Sequence, residues 1–520
     1  MNKKFFAVLC LVSFLGAAGT SVAATTEPHA FWTKQEYAKL RTWAKHQPRR
    51  SVADLDKVDV TALSDSLNNL RSEIIGGPKY KNKQVVEENA FPGVHSPEEL
   101  DALLVKLGTS YDGLDPDAKW VAAQLLPLRV YRGIFARTIN LLKNAKYAHS
   151  MVAASLRLAT TGVSTYLPAA QWKVAVQYMS KPYSGMIGDI DSEDQLLQFL
   201  QHDVYGALND TIGKLNALKF DKAGIYFDNQ ILYGMGDYPL SDQDRFVLVG
   251  EPERLGLIGS MSFTASALAS ACAYNMHGLM ESIKEMSNLF GYDVTKSTLG
   301  SIFNGDDGDP GINGVSSKQR TKTLLEISKK YGLFKLNADG TTWMNSSYVN
   351  LVNGVMATRA SWDLLHKPGT NSSSRFVLNP QAFLSQERLI ETSMSSMEQL
   401  LNLDGKYKDG IVPLQSVINS KDTVKVNLAE FFLNPPKDLT KFFPTDWDPS
   451  AYDQTETLSD GSKHAWHNYL SGSPILWDVT AYQPYFPGTA KPADVQMAAR
   501  VFAQAWGGWI VGIPFSMLVF

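Results

Sequence analysis

Through most of the chain, apolar residues recur three and four positions apart, the spacing of one buried face of an α-helix. The exception sits in the middle. From Leu255 to Met280 no residue carries a formal charge, and small or apolar side chains occur on every face. Such a run reads as a helix buried on nearly all sides, spanning about 252–276, with other helices packed around it. Pro252 falls where a first helical turn tolerates proline, and Glu253 suits the positive end of the helix dipole. Ser262, Ser266 and Ser270 lie four apart on one face, and Ala265, Ala269 and Ala273 on another. Small side chains at that spacing let backbones approach closely, and each hydroxyl can return to a carbonyl one turn back. The run is long enough to cross a bilayer, but its Ser, Gly and Asn content favours a surrounding of protein.

Flanking helices are marked by their caps. Ser96-Pro97 with Glu99 has capping-box spacing before Leu100, Leu103 and Leu104. Asp115-Pro116 opens a run to Asn144 that Pro127 should kink or split. Asn379-Pro380 starts another, with Phe383, Ile390, Met394, Met397 and Leu401 on one stripe and Asp404-Gly405 as the stop. Helical spacing also covers 33–46, 61–75, 192–219, 277–290, 317–331 and 492–506. Strand signals are few: hairpins are expected at 225–233, turning at Asp228-Asn229, and at 333–343, turning at Asp339-Gly340. The expected fold is mainly α, a large irregular helical body around the central helix with one or two small β-hairpins. Aromatic residues and prolines crowd a loop-like section from about Lys441 onward. The division is therefore a leader at 1–24, a helical body at 25–440, and an aromatic-rich section at 441–520 packed on that body.

The leader changes the chemistry of what remains. Lys3 and Lys4, an apolar run from Phe5 to Leu15, and small residues to Ala24 describe a signal peptide. Its removal, with both lysines, takes the formal net charge from −3 to −5. A slightly acidic chain has no general attraction for phosphate backbones, so nucleic acid is not an expected partner. Cys272 becomes the only cysteine, so no internal disulfide can form. Export without disulfides leans towards a bacterial periplasm. The tail, Trp506 to Phe520, is apolar but broken by Gly507, Gly508, Gly512 and Pro514, which suits a docked coil better than a membrane span.

The common nucleotide, haem, zinc-protease and serine-hydrolase signatures are absent. Three constellations remain. His464 and His467, flanking Trp466, would share one side of a helix and could hold a metal or pass a proton, with Asp460 or Asp478 as the carboxylate. Asp306, Asp307 and Asp309, in a Gly- and Asn-rich loop, offer the oxygen donors that Ca²⁺ prefers, though not at EF-hand spacing. Trp447, Trp466 and Trp477 sit in the aromatic section, where such rings stack on sugars or pack against peptides, or else pin loops to the core. His277 reads as a buried, satisfied histidine beside Glu281, and Cys272 as inert packing.

These observations make an exported, helical binding or scaffolding protein of a bacterial envelope the leading expectation, with a glycan or an envelope protein as ligand. Its ligand contacts would be Trp447, His464, Trp466, His467 and Trp477. One alternative is an exported hydrolase or lyase acting on a polysaccharide or peptidoglycan through His464 or His467 and a carboxylate. Another is a membrane-associated protein docking through its apolar C-terminus.

Overall fold

The computed structural model describes residues 30–47, 63–138, 140–141, 169–180, 182, 188–219, 225–228, 246–290, 317–365, 387–416, 421–443, 446–447, 453–467, 475–476 and 478–505. These are mainly helical, with five two-stranded antiparallel ladders among them. The leader region, the Asp306–Asp309 loop and the C-terminal tail lie outside the described residues.

The charge-free run forms a helix, Glu251–Cys272, shorter than its composition allows. It begins at Gly250, whose N–H donates to the Glu253 carboxylate at 2.9 Å. It is the one helix among the described residues that is long and apolar enough to cross a membrane, and 67% of its apolar window is buried in protein. Leu255, Ile258, Ala265, Ala269 and Cys272 have no exposed surface.

What covers it is chiefly a second long helix, Gly340–Leu365, running antiparallel along its length. The pair is zipped by small residues. Ser361 Oγ donates to the Pro252 carbonyl at 2.7 Å. A Cβ on Gly259 would lie 2.2 Å from Thr358 Oγ1 and 3.2 Å from the Gly354 carbonyl oxygen. Gly354 in turn makes room for the Phe263 ring. Nearer the other end, Ser347 Oγ donates to the Ser266 carbonyl at 2.7 Å and lies 3.0 and 2.7 Å from the hydroxyls of Ser266 and Ser270. The serine stripe is thus used across the interface instead of back onto its own helix. Ser262 Oγ, on the same stripe, is buried without a hydrogen-bond partner.

The helix pair separates two hydrophobic clusters. Leu255, Ile258, Ala265, Ala357 and Ala360 face one, together with the helices Asp65–Ile75, Pro97–Ser110, Pro116–Leu125 and Tyr205–Ala217. Phe263, Met344, Leu351, Val355 and Trp362 face the other, with Met394, Met397, Phe432, Tyr482 and Val495. Leu439 and Tyr482 share that second cluster, so packing is continuous across position 440.

The capping signals hold in part: Asp115 stands at the N-cap of Pro116–Leu125 but makes no side-chain cap hydrogen bond. Ser96 and Glu99 form the expected capping box, and Thr33 with Glu36 forms another at the helix Lys34–His46. The Asp115 run divides at Pro127 into Pro116–Leu125, a 3₁₀ segment Leu126–Tyr131 and the short helix Ile134–Arg137. Between Glu193–Gln198 and Tyr205–Ala217 a π turn, Phe199–Val204, puts the Phe199 ring 5.0 Å from the Arg137 guanidinium. The same turn lets Gln201 Nε2 donate to the Cys272 carbonyl at 3.3 Å. The Asn379-Pro380 start is outside the described residues, which take up that helix at Glu387–Leu400.

The two expected hairpins have different outcomes. Ile225–Asp228 is a strand that pairs with Phe246–Val249, and the expected turn and return strand from Asn229 lie outside the described residues. At Asp339-Gly340 the long partner helix begins: the Asp339 carbonyl accepts from Thr342 N at 2.9 Å and its carboxylate from Trp343 Nε1 at 2.9 Å. Asp-Gly serves there as a helix start, because the residues beyond it are wanted against the central helix.

The close approach makes two glycine substitutions differ in sign. Gly259→Ala should cost about 1–3 kcal/mol by overpacking against the partner backbone. Gly213→Ala, on an exposed helical position with open space around it, should add about 0.5–1 kcal/mol from reduced backbone freedom. Urea midpoints of the two variants measure both.

Candidate functional site

The histidine pair lies on a strand. Lys463–His467 pairs with Asp453–Thr457 in an antiparallel ribbon closed at Leu458–Ser462, where Gly461 adopts φ 82°. In a strand, positions three apart fall on opposite faces, so His464 and His467 do not share a side as they would on a helix. The register gives each its own acidic neighbour: Glu456 stands opposite His464, and Asp453 opposite His467. Trp466 stands opposite Gln454. One face of the ribbon therefore gathers positions 454, 456, 464 and 466, a Trp among Gln, Glu and His. The other gathers 453, 455, 457, 463, 465 and 467.

The carboxylates expected to assist are otherwise engaged. Asp460 Oδ1 accepts from Ser462 N at 2.8 Å and closes the ribbon turn; its bonds to Ser462 hold its carboxyl below the usual range. Asp478 caps the short helix Val479–Tyr482, accepting from Thr480 Oγ1 at 2.6 Å and Thr480 N at 3.1 Å, and the Thr480 contact lowers its pKa. Both act as turn and cap groups.

The aromatic section divides in two. Phe442, Tyr482, Tyr485 and Phe486 belong to the second core cluster. Phe442 meets Tyr482 edge-on at 4.9 Å, Phe431 meets Tyr485 at 5.3 Å, and Phe486 meets Phe502 at 6.0 Å. Tyr482 Oη donates to the Phe442 carbonyl at 2.7 Å. Burial raises the Tyr482 and Tyr485 phenol pKa values, that of Tyr485 to about 12. This packing brackets the strands between 446 and 476 on both sides. The ribbon turn is moored as well. Buried Asp494 accepts from Ser459 N at 3.1 Å, Ala490 N at 2.7 Å and Lys491 N at 2.9 Å. Trp447 lies on a two-residue strand, Asp446–Trp447, paired with Ile475–Leu476; Trp477 is outside the described residues.

Among the described residues no group of three or more His, Cys, Asp or Glu side chains is placed to hold a metal ion. Asp306, Asp307 and Asp309 lie outside them. His277 is exposed instead of buried, because the central helix stops at Cys272; its Nδ1 lies 3.6 Å from Asp194 Oδ1. Cys272 is fully buried, and burial pushes its thiol pKa up, so it is an inert packing group.

A cluster that the sequence reading missed lies where the helix Lys34–His46 crosses the partner helix and Glu387–Leu400. Arg41 Nε is 2.7 Å from Asp363 Oδ2 and its Nη1 is 2.8 Å from Glu398 Oε1. Tyr37 Oη donates to the same Glu398. Arg359 Nη2 is 2.5 Å from Glu391 Oε1, and Trp362 Nε1 donates to Glu391 Oε2 at 2.9 Å. Arg359 and Asp363, four apart, are the only charged residues of the partner helix, which is the trace this cluster leaves in the sequence. Every carboxylate here is held by an arginine, which makes the cluster an ionic brace between three helices rather than an acid–base pair.

A shallow cleft of about 480 Å³ on the outer side of Lys34–His46 is lined by Gln35, Ala38, Lys39, Thr42 and Trp43. Trp43 is 43% exposed there. No family model, no curated protein and no solved structure matches this chain.

Burial raises the Glu391 carboxyl pKa, but the Arg359 hydrogen bond and charge and the Trp362 N–H outweigh it, so the net shift is downward. A depressed folded pKa contributes stability that is present above the ordinary value of about 4.5 and lost as pH falls through the folded value. Urea midpoints between pH 7 and pH 3 should therefore fall less steeply below pH 4.5 in Glu391→Gln than in the unmodified protein. Equal slopes would show that this carboxylate does not contribute to the acid limb.

Proposed function

We propose that the chain is an exported, disulfide-free helical binding or scaffolding protein of a bacterial envelope, with a glycan as its ligand. The observation that carries this reading is the shared ribbon face of Trp466, His464, Glu456 and Gln454. A Trp position sharing a face with Gln, Glu and His positions suits a sugar: such a ring stacks on its C–H face, and such polar groups fix its hydroxyls. The aromatic core around Phe442, Tyr482 and Tyr485 and the Asp494 mooring supply a rigid mount on either side of that ribbon. Support for the hydrolase or lyase reading is weaker. Its two histidines fall on opposite faces of the ribbon, and Asp460 and Asp478 are committed to a turn and a cap.

A glycan array probed with the mature protein identifies the sugar. Trp466→Ala should then reduce affinity by about 1–3 kcal/mol, the loss of one stacked ring. Its thermal midpoint should be unchanged. A Trp466→Ala variant that binds no sugar because it fails to fold would place that ring in the core and sink the proposal. Hydrolysis of any array member by the purified protein would favour the enzyme reading.

A further inference from the structure

We propose that the helix Lys34–His46 is a releasable strap: Arg41 holds it down, and Arg359 takes over the carboxylates that Arg41 gives up when the strap lifts. Two guanidinium groups face the same two acids. Arg41 has them, at 2.7 Å from Asp363 and 2.8 Å from Glu398. Arg359 Nε stands at 3.5 Å from Asp363 Oδ1 and 3.5 Å from Glu398 Oε2, outside hydrogen-bonding geometry. Its Nη1 has no hydrogen-bond partner either, although the side chain is only 5% exposed. Buried donors without acceptors are costly, so the docked arrangement leaves Arg359 Nε and Nη1 unsatisfied while Arg41 holds both acids.

Lifting the strap reverses this. Arg41 passes into water, where its donors are solvated, and a shift of under 1 Å lets Arg359 close on both carboxylates. Neither acid is stranded, which is the usual penalty for breaking a buried ion pair. The rest of the strap's attachment runs along one edge of the helix. Of its own residues only Tyr37 and Ala44 are buried. Its other anchors are mixed: Tyr37 Oη donates to Glu398, Lys34 Nζ to the Asn402 carbonyl at 2.8 Å and Phe31 N to Asn353 Oδ1 at 2.9 Å, while Leu40, and Phe31 and Trp32 just ahead of the helix, pack partly buried on the core. A mostly exposed helix at the edge of both clusters, held in large part by exchangeable polar contacts, describes an element that opens without unfolding the body.

The test is amide hydrogen exchange of the full mature chain, comparing peptides from 34–46 with peptides from the two core clusters. In the unmodified protein the strap should exchange while the body stays protected. Arg41→Gln should speed strap exchange about tenfold or more, the equivalent of one charge-assisted hydrogen bond, with the body unchanged. Arg359→Gln should slow strap exchange, even though losing a buried charge weakens the body, because the reserve partner for the open state is gone. A fixed brace makes the opposite forecast, since removing Arg359 would then loosen the strap. Faster strap exchange in Arg359→Gln, or joint exchange of strap and body in the unmodified protein, overturns the proposal. Should Arg359→Gln not fold, Arg359→Lys keeps the charge but cannot reach two carboxylates at once, and must show the same slowing.

Discussion

The close antiparallel contact between Glu251–Cys272 and Gly340–Leu365 is the constraint on which the other packing depends. Two helices approach this closely only where their facing positions lack bulk, and here the space is made by Gly259, Gly354, Gly340 and the serines between them. Gly340 lies so near the Ala273 carbonyl that a Cβ there would be 2.5 Å from its oxygen. Once the pair is formed, each helix has one side left for one cluster and another side for the second. The helices Tyr205–Ala217, Lys34–His46 and Glu387–Leu400 pack directly on the pair, whereas Pro97–Ser110 packs mainly on other helices of its cluster.

How much of this was legible depends on what each segment does. Surface-facing helices carry their boundaries in capping residues and their orientation in periodic apolar positions, so Pro97–Ser110 and Lys34–His46 could be read directly. The partner helix could not, because it is buried on most of its circumference and carries no apolar stripe to betray the period of 3.6. Its Asp339-Gly340 start also matches a hairpin turn, and only the tertiary contact decides between them. The hairpin Gly77–Phe91 was missed for a different reason. Its turn residues Asn82 and Lys83 take positive φ without a glycine, compensated by Asp65, whose carboxylate accepts from both of their N–H groups. A distant side chain supplies what a sequence reader expects from the turn itself.

The candidate site shows the same division. The residue types around Trp466 are visible in the sequence, but His464 and His467 share a side only at a helical period, and the strand period separates them. The strand also makes neighbours of residues far from one another in the reading frame of a helix, Glu456 with His464 and Asp453 with His467. The brace of Arg41, Arg359, Asp363 and Glu398 was harder still, since its members come from three separate helices. Two charges isolated in an otherwise uncharged long helix were its single local sign.

One feature of that brace bears on how the chain is made. The helix Lys34–His46, with Phe31 just ahead of it, docks on Asn353, Asp363, Glu398 and Asn402, more than three hundred positions further along. During synthesis the segment leaves the ribosome early, and its landing place emerges only towards the end. Contacts with so large a loop to close form late and slowly. For most of translation the segment 34–46 thus has nothing to dock on, and it is fastened only after Glu398 and Asn402 have been made.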